Sequence, residues 1–334
     1  MGVKISAISY YLPDKQYTNT DFFTDFPEVA SSSMTRIGVE KRHIVGVDQT
    51  ASDMAILAAE RLFAEHNINR SEIDFLIVCL QEQDFYLPAS SSYIHGVLGL
   101  GTHCGAFDIN LGCSAYVYGL GVAEGIAQSM GAKNILFLTS SAVTRTIHAR
   151  DRSSRFIFGD AATATLLKDS GSPSLGPFVF GTDGTKYNKI IVEDGGTRNP
   201  ISEDSYTERI DEFGLVTTRA NLKMEGYDVF QFTIKTVPAM IEQLLAKADI
   251  TPDAVDLYIF HQPNVYLNEK IRSKMNIPEG KFVHCMAEFG NTVTGTIPIA
   301  LYEAQKQGRL RSGMTVVLAG FGVGLSWCAT LART

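Results

Sequence analysis

Three residues of this 334-residue chain could share one piece of acyl chemistry: Cys113, His261 and Asn291. Cys113 stands in DINLGCSA, directly after Gly112 and at the head of a long run of small and apolar residues. If that run is a helix, its start offers unpaired N–H groups and a positive potential, both of which lower a thiol pKa toward thiolate. His261 stands in HQPN, between an apolar strand-like run and a proline-containing turn. Asn291 stands in GNTVTGTIP, again directly after a glycine. A thiolate attacks an acyl carbonyl, while an imidazole N–H and a carboxamide N–H can together hold a negative carbonyl oxygen. Neither role needs a metal. Each residue alone has a plainer reading: a packed thiol, a hydrogen-bonded core histidine, a helix N-cap. A cysteine hydrolase or protease is a competing use of the same thiol. It wants His261 oriented as a base by Asp or Asn, with water admitted. Cys79, Cys104, Cys285 and Cys328 lack the glycine, the helix start and the duplicated partner, and read as core.

What must position the three is a duplication. IDFLIVC (73–79) matches VDLYIFH (255–261) in pattern, and LGCSAYVYGL (111–120) matches FGNTVTGTIPIAL (289–301). ILFLTS (135–140) matches TVVLAG (315–320), and FGDAATATLL (158–167) matches FGVGLSWCATLA (321–332). Short buried strands alternating with helices point to two fused α/β halves, residues 1–175 and 176–334. Cys113 and Asn291 then correspond, each following a glycine and beginning a buried helix. Pseudo-twofold packing lets both helix starts face one cavity, and His261 ends a strand of the second half, where ligands gather in open α/β sheets. The expected elements are strands at 3–10, 73–80, 106–109, 135–140, 255–260, 314–318 and 325–331. A strand is also expected within 156–167. Helices are expected at 51–65, 88–98, 111–132, 229–247, 265–275 and 290–306. Residues 169–222 carry Gly, Pro, Asp and Thr in quantity and read as an insertion or crossover, in which 181–220 is long enough to shape a substrate mouth.

Composition removes several other classes. The chain is 45% apolar and 19% charged, which fits a globular protein and excludes a disordered one. Asp plus Glu outnumber Lys plus Arg by 36 to 29, for a net charge of -7, which weighs against a nucleic-acid partner. No run of 18 apolar residues suggests a membrane span, and MGVKISAISYYLPD reads as a first strand, not a secretory leader. Five cysteines without a CxxC pair suggest neither structural zinc nor a disulfide framework, and fit a cytoplasmic, reducing setting.

The chain resembles the β-ketoacyl-acyl-carrier-protein synthase III family of thiolase-like condensing enzymes. The likeness rests on TRIGVEKRH, LPASSSYIHGVLG, DINLGCSA, FIFGDAATA, MEGYDVFQF, HQPN, GNTVTGTIP and GFGVGLSW, in that order over nearly the whole chain. It implies a five-layer αβαβα fold, a homodimer, and no metal or tightly bound cofactor. It implies that Cys113 takes an acyl group from an acyl-CoA or an acyl carrier protein, with the Cys113 and Val323 N–H groups as the first oxyanion site. His261 and Asn291 would then stabilise the enolate formed as a malonyl thioester loses CO2, and that carbanion would attack the acyl-Cys113 carbonyl. Arg36 and Arg152 match residues that contact the CoA nucleotide. Leu87 falls where a Phe crosses the dimer interface to floor the acyl pocket. Departures from the family pattern are Ser32 in place of a Trp that stacks on adenine, Tyr266 in place of an Arg that docks the carrier protein, and Val323 in place of a glycine. Alternatives of the same resemblance are acyl transfer onto an amine or hydroxyl in secondary metabolism, and a non-catalytic partner subunit of a heterodimeric synthase. A reaction like that of HMG-CoA synthase requires an additional acid/base Glu, for which no residue stands out in the sequence.

Overall fold

The computed structural model describes residues 2–29, 36–172 and 174–334. Runs rich in Val, Ile, Leu and Phe, with too few polar residues to leave a wet face, become buried strands. In the first half these are β1 (Val3–Tyr11), β2 (Phe75–Cys79), β3 (Gly105–Ile109), β4 (Asn134–Ser141) and β5 (Ala161–Asp169), arranged β1-β5-β4-β2-β3. In the second half β6 (Leu175–Thr182), β7 (Leu257–Phe260), β8 (Thr315–Gly322) and β9 (Ser326–Arg333) are arranged β6-β9-β8-β7. The two orders superpose with the same pairing sense. The β1/β5/β4 and β6/β9/β8 ladders are antiparallel, and β4/β2 and β8/β7 are parallel. Where β3 would have its counterpart, a single parallel bridge joins Tyr258 to Phe282.

Helices complete five layers. α1 (Ala51–His66) covers the outer face of β1, β4 and β5, and its start is fixed by a Thr50–Asp53 capping box. α2 (Ser90–Val97) lies against β2 and β3. α3 (Ala115–Met130) sits between the sheets, touching β2 and β4 on one side and β6, β8 and β9 on the other. α4 (Gly226–Ala248) covers the outer face of β6, β8 and β9, and α5 (Val265–Lys274) packs on α4. α6 (Thr296–Lys306) shares the central layer with α3. That layer must be thin, which explains a helix rich in small residues. A Cβ on Gly119 would fall 2.1 Å from the Phe137 ring, so only glycine lets α3 lie this close to β4. Leu120, Ile297 and Leu301 fill the remaining space. Each such side chain, fully buried, is worth about 2 kcal/mol.

Three expectations need correction. α3 begins at Ala115, so Cys113 lies on the turn ahead of the helix, not within its first turn. The second segment forms a short 3-10 turn at Val293–Gly295 and becomes α-helical only at Thr296, which leaves Asn291 in an extended bridge with Phe158. Residues 175–182 are not loose insertion but β6, a full strand. Gly176 and Pro177 disguise it, and they are tolerated because β6 is an edge. Among the described residues no helix is long and apolar enough to cross a membrane.

Candidate active site

β2, β3 and β4 are parallel and end together, and the cavity opens at their carboxyl ends, as it does in other open α/β sheets. The segment after β3 turns through Gly112 and Cys113 before α3. The β8–β9 turn comes against it from the other half. Ser114 Oγ and Ser326 Oγ are 2.7 Å apart, and Ser326 Oγ donates to the Val323 carbonyl at 2.8 Å. Gly322, at φ +156°, closes the contact: a Cβ there would stand 2.7 Å from both Cβ and Sγ of Cys113. The backbone N–H groups of Val323 and of Cys113 itself pull the thiol down. They do not win. Burial pushes the Cys113 thiol up to about 11 against their pull, the reverse of the lowering expected from a helix start. With α3 beginning two residues later, the sulfur meets two local N–H groups in place of a full helix terminus.

His261 extends β7 by one residue, its N–H donating to the Ala319 carbonyl at 2.7 Å. The rest of HQPN holds that position. Gln262 donates to the Phe260 and Val283 carbonyls at 2.7 and 3.1 Å, and Asn264 caps α5 by accepting from the Leu267 N–H at 2.8 Å. The His261 ring meets the edge of Phe321 at 5.6 Å. Burial pushes its imidazole down to about 3, so the ring is neutral at neutral pH. Its Nδ1 is 2.8 Å from Thr296 Oγ1, which also lies 3.2 Å from the Val293 carbonyl. One hydroxyl therefore serves either tautomer. It accepts from Nδ1–H while donating to Val293, or it donates to bare Nδ1 and leaves the proton on Nε2.

Asn291 is fixed by the first half of the chain: its N–H donates to the Ile157 carbonyl at 2.8 Å, and its carbonyl accepts from Gly159 at 3.1 Å. Its Oδ1 accepts from the Val293 N–H at 3.0 Å, which settles the amide orientation and leaves the Nδ2 donors without a partner among the described residues. Val293 achieves this at φ +51°, a left-handed conformation rare for a β-branched residue and worth about 1–3 kcal/mol of strain.

Cys113, His261, Asn291 and Val323 all line one cavity of about 760 Å³. Its wall is largely apolar, through Val143, Phe158, Leu222 and Met224, and the 181–220 loop contributes Ile190 and Asp194. Asp194 locks that loop by accepting from Arg219 at 2.7 Å and Ser205 Oγ at 2.8 Å. The other expected site residues stand apart. Leu87 is 85% exposed and does not line this chain's cavity. Arg36 is exposed and off the lining. Arg152 is off it too, donating to the Phe213 carbonyl at 2.7 Å and bracing the 209–217 hairpin. Ser32 lies outside the described residues. Tyr266 stacks on Phe230 at 6.1 Å with Lys270 over its ring, one residue from cavity-lining Leu267. Sequence reasoning passed over Thr296, Val293 and Glu82, a carboxyl that lines the cavity. The only signal for Glu82 was its place just beyond a buried strand adjacent to the nucleophile's own.

Comparisons with known proteins agree on one family. Residues 107–184 match the model of 3-oxoacyl-[acyl-carrier-protein (ACP)] synthase III, and residues 245–334 match the model of its C-terminal region. A beta-ketoacyl-[acyl-carrier-protein] synthase III of Streptococcus pyogenes serotype M2 (strain MGAS10270) is 30% identical over 332 residues, covering 99% of this chain and 98% of that protein. A 2.1 Å crystal structure of a 3-oxoacyl-(acyl-carrier-protein) synthase III is 38% identical, with a TM-score of 0.98 over 100% of both chains. The priming beta-ketosynthase from the R1128 polyketide biosynthetic pathway is 25% identical, with a TM-score of 0.86 over 99% of this chain and 96% of that one.

Proposed function

The chain belongs to the 3-oxoacyl-[acyl-carrier-protein] synthase III family of condensing acyltransferases, and from that premise we propose which of its residues carry the reaction. Cys113 is the nucleophile. Its thiol, held up near 11 by burial, is not a standing thiolate. It attacks the acyl thioester as its proton passes to Nε2 of neutral His261, with Nδ1–H donated to Thr296. The carbonyl oxygen is held by the N–H groups of Cys113 and Val323. Collapse breaks the C–S bond to CoA, and the leaving thiolate takes the proton back.

A malonyl thioester enters next. CO2 leaves, and its bonding electron pair forms an enolate whose oxygen accepts hydrogen bonds from Asn291 Nδ2–H and from His261 Nε2–H; between the two substrates His261 has lost its Nδ1 proton to solvent and taken one up at Nε2, and Thr296 has turned its hydroxyl to donate to Nδ1. A neutral imidazole suits this role, since a cation would tend to protonate the carbanion. The carbanion attacks the acyl-Cys113 carbonyl, the C–S bond breaks, and the expelled Cys113 thiolate takes from solvent the one proton that the condensation consumes. Two fixed donors in a dry site can supply several kcal/mol. The observation that carries this reading is the meeting, on one cavity, of a thiol from the first half with an imidazole and a carboxamide from the second.

We extend the proposal to the assembly. Residues 1–175 and 176–334 act as the two halves. Exposed Phe85, Tyr86 and Leu87 beside the open edge of β3 support a homodimer in which Leu87 floors the partner's acyl pocket. Arg36 and Arg152 are assigned to the CoA nucleotide, with Ala substitutions expected to raise KM for CoA donors but not for pantetheine donors. Lys270 and Tyr266 are the docking contacts for an acyl carrier protein. The reaction runs in the cytoplasm without a tightly bound cofactor, and five free thiols support that setting. The test is intact mass after incubation with a panel of acyl-CoAs and acyl carriers. An adduct on Cys113, discharged only by malonyl thioester, supports condensation. Discharge by water alone, or no adduct from any donor, refutes it.

A further inference from the structure

Glu82 has no task in the reaction above. Gln81 and Glu82 follow β2, Asn110 follows β3, and Ser141 ends β4. The pairings of Cys79 with Ile109 and with Thr139 set these strand ends side by side. Gln81, Glu82 and Asn110 all line the cavity that holds Cys113. The Gln81 Oε1 stands 2.7 Å from where a Gly112 Cβ would be, so this polar corner adjoins the nucleophile's turn. Ser141 Oγ donates weakly to Glu82 Oε1 at 3.4 Å, while Glu82 Oε2 is buried and meets no partner among the described residues. An unmet buried polar atom costs about 1–3 kcal/mol, and native interiors rarely keep one without a use. A saturated acyl chain would fit the apolar wall and leave Oε2 unmet.

We propose that the corner where β2, β3 and β4 end is a polar acyl subsite, in which Glu82 Oε2 accepts a hydrogen bond from a hydroxyl on the chain of the acyl donor. Gln81 and Asn110 carry amides that can donate to the same hydroxyl oxygen. A hydroxyl fits better than an ammonium group. It needs no costly desolvation of a cation, and it both donates and accepts. Burial also holds the Glu82 carboxyl up at about 7, since its own and the Ala142 N–H come near it without completing a hydrogen bond. At neutral pH the corner is therefore only partly charged.

The proposal rests on acylation of Cys113, and its test keeps the two apart. Matched acyl-CoAs of equal length, plain or with the hydroxyl moved from carbon 3 to the terminal carbon, are offered to wild type, Glu82→Gln and Glu82→Leu. Cys113 acylation is followed by intact mass. At least one hydroxyacyl donor is expected to exceed its plain counterpart in kcat/KM by about tenfold or more, because a site built for a hydroxyl discriminates against its absence. That ratio falls toward one in Glu82→Leu, through loss of rate with the hydroxyacyl donor. The near-isosteric Glu82→Gln keeps the fold and part of the preference, and it decides the matter should Glu82→Leu not fold. No preference anywhere in the wild-type series overturns the subsite. So does a Glu82→Gln enzyme slowed equally with both donors, which would make Glu82 part of the general machinery. No adduct from any donor, plain or hydroxylated, instead overturns the acyl-Cys113 reading beneath it.

Discussion

Gly322→Ala tests the geometry at the sulfur most directly. Gly322 ends β8 at φ +156°, and the new Cβ would sit 2.7 Å from both Cβ and Sγ of Cys113. Comfortable contacts between such atoms begin at about 3.5 Å, so roughly 1 Å must open. Two relaxations are available. The sulfur moves off the Val323 N–H, or the β8–β9 turn retreats and takes that N–H with it. Both damage the same alignment, and a misplacement of about 1 Å can cost about 100-fold. The φ value adds about 1–3 kcal/mol of backbone strain. The assay is single-turnover acylation of Cys113 read by intact mass, with denaturant unfolding measured in parallel. We expect a folded but less stable protein that acylates about 100-fold more slowly. Gly125→Ala is the control. It lies inside α3 with nothing within 4 Å of the added Cβ, so acylation is unchanged and stability rises by about 0.5–1 kcal/mol. Acylation of Gly322→Ala within about threefold of wild type would refute the reasoning.

Asn291→Ala removes one of two enolate donors. CO2 release from malonyl thioester should fall by about 100- to 1,000-fold, with Cys113 acylation nearly untouched. Thr296→Val deprives His261 Nδ1 of its hydroxyl partner at 2.8 Å. Condensation should fall about tenfold or more while Thr296→Ser restores it, and a merely structural loss would not show that rescue. A thiol at about 11 predicts that iodoacetamide labelling of Cys113 rises about tenfold per pH unit from pH 7 to 10. A flat profile would mean the thiolate is already formed. His261, lowered by burial from 6.5 to about 3, contributes stability that is present above pH 6.5 and lost as pH falls toward 3. That amounts to about 3 kcal/mol between pH 7 and pH 4. Urea unfolding at the two pH values should show His261→Gln losing less stability than wild type by that margin.

Much of the fold was legible because its strands are buried on both faces. IDFLIVC and VDLYIFH need no amphipathic alternation to be recognised, and their recurrence with the segments after them exposed the duplication. The strand that escaped, β6, is the exception that explains the rule. It is an edge, so Gly176 and Pro177 cost it little, and its sequence resembles the loop that follows. Helix starts were placed too early at both Cys113 and Asn291 for a common reason. Each lies on a turn clamped by the opposite half, at Ser326 in one case and at Ile157 and Gly159 in the other, so no local signal separates turn from helix.

The candidate site divides along the same line. Which residues converge followed from the repeat, because corresponding strand ends must meet when the halves pack face to face. The electrostatics did not follow. A helix start argues for a lowered thiol pKa and enclosure argues for a raised one; their balance depends on how deeply the second half covers Cys113, which is a property of two segments 200 residues apart and not of DINLGCSA. Glu82 shows the same blindness from the other side. Within QEQD it reads as one polar residue among several in a loop, and only the closure of β4 and the cavity wall over it turns an ordinary carboxylate into an enclosed group with one oxygen unmet. The chemistry proposed for this chain therefore sits where its two halves, and the ends of β2, β3 and β4, enclose side chains that look unremarkable one segment at a time.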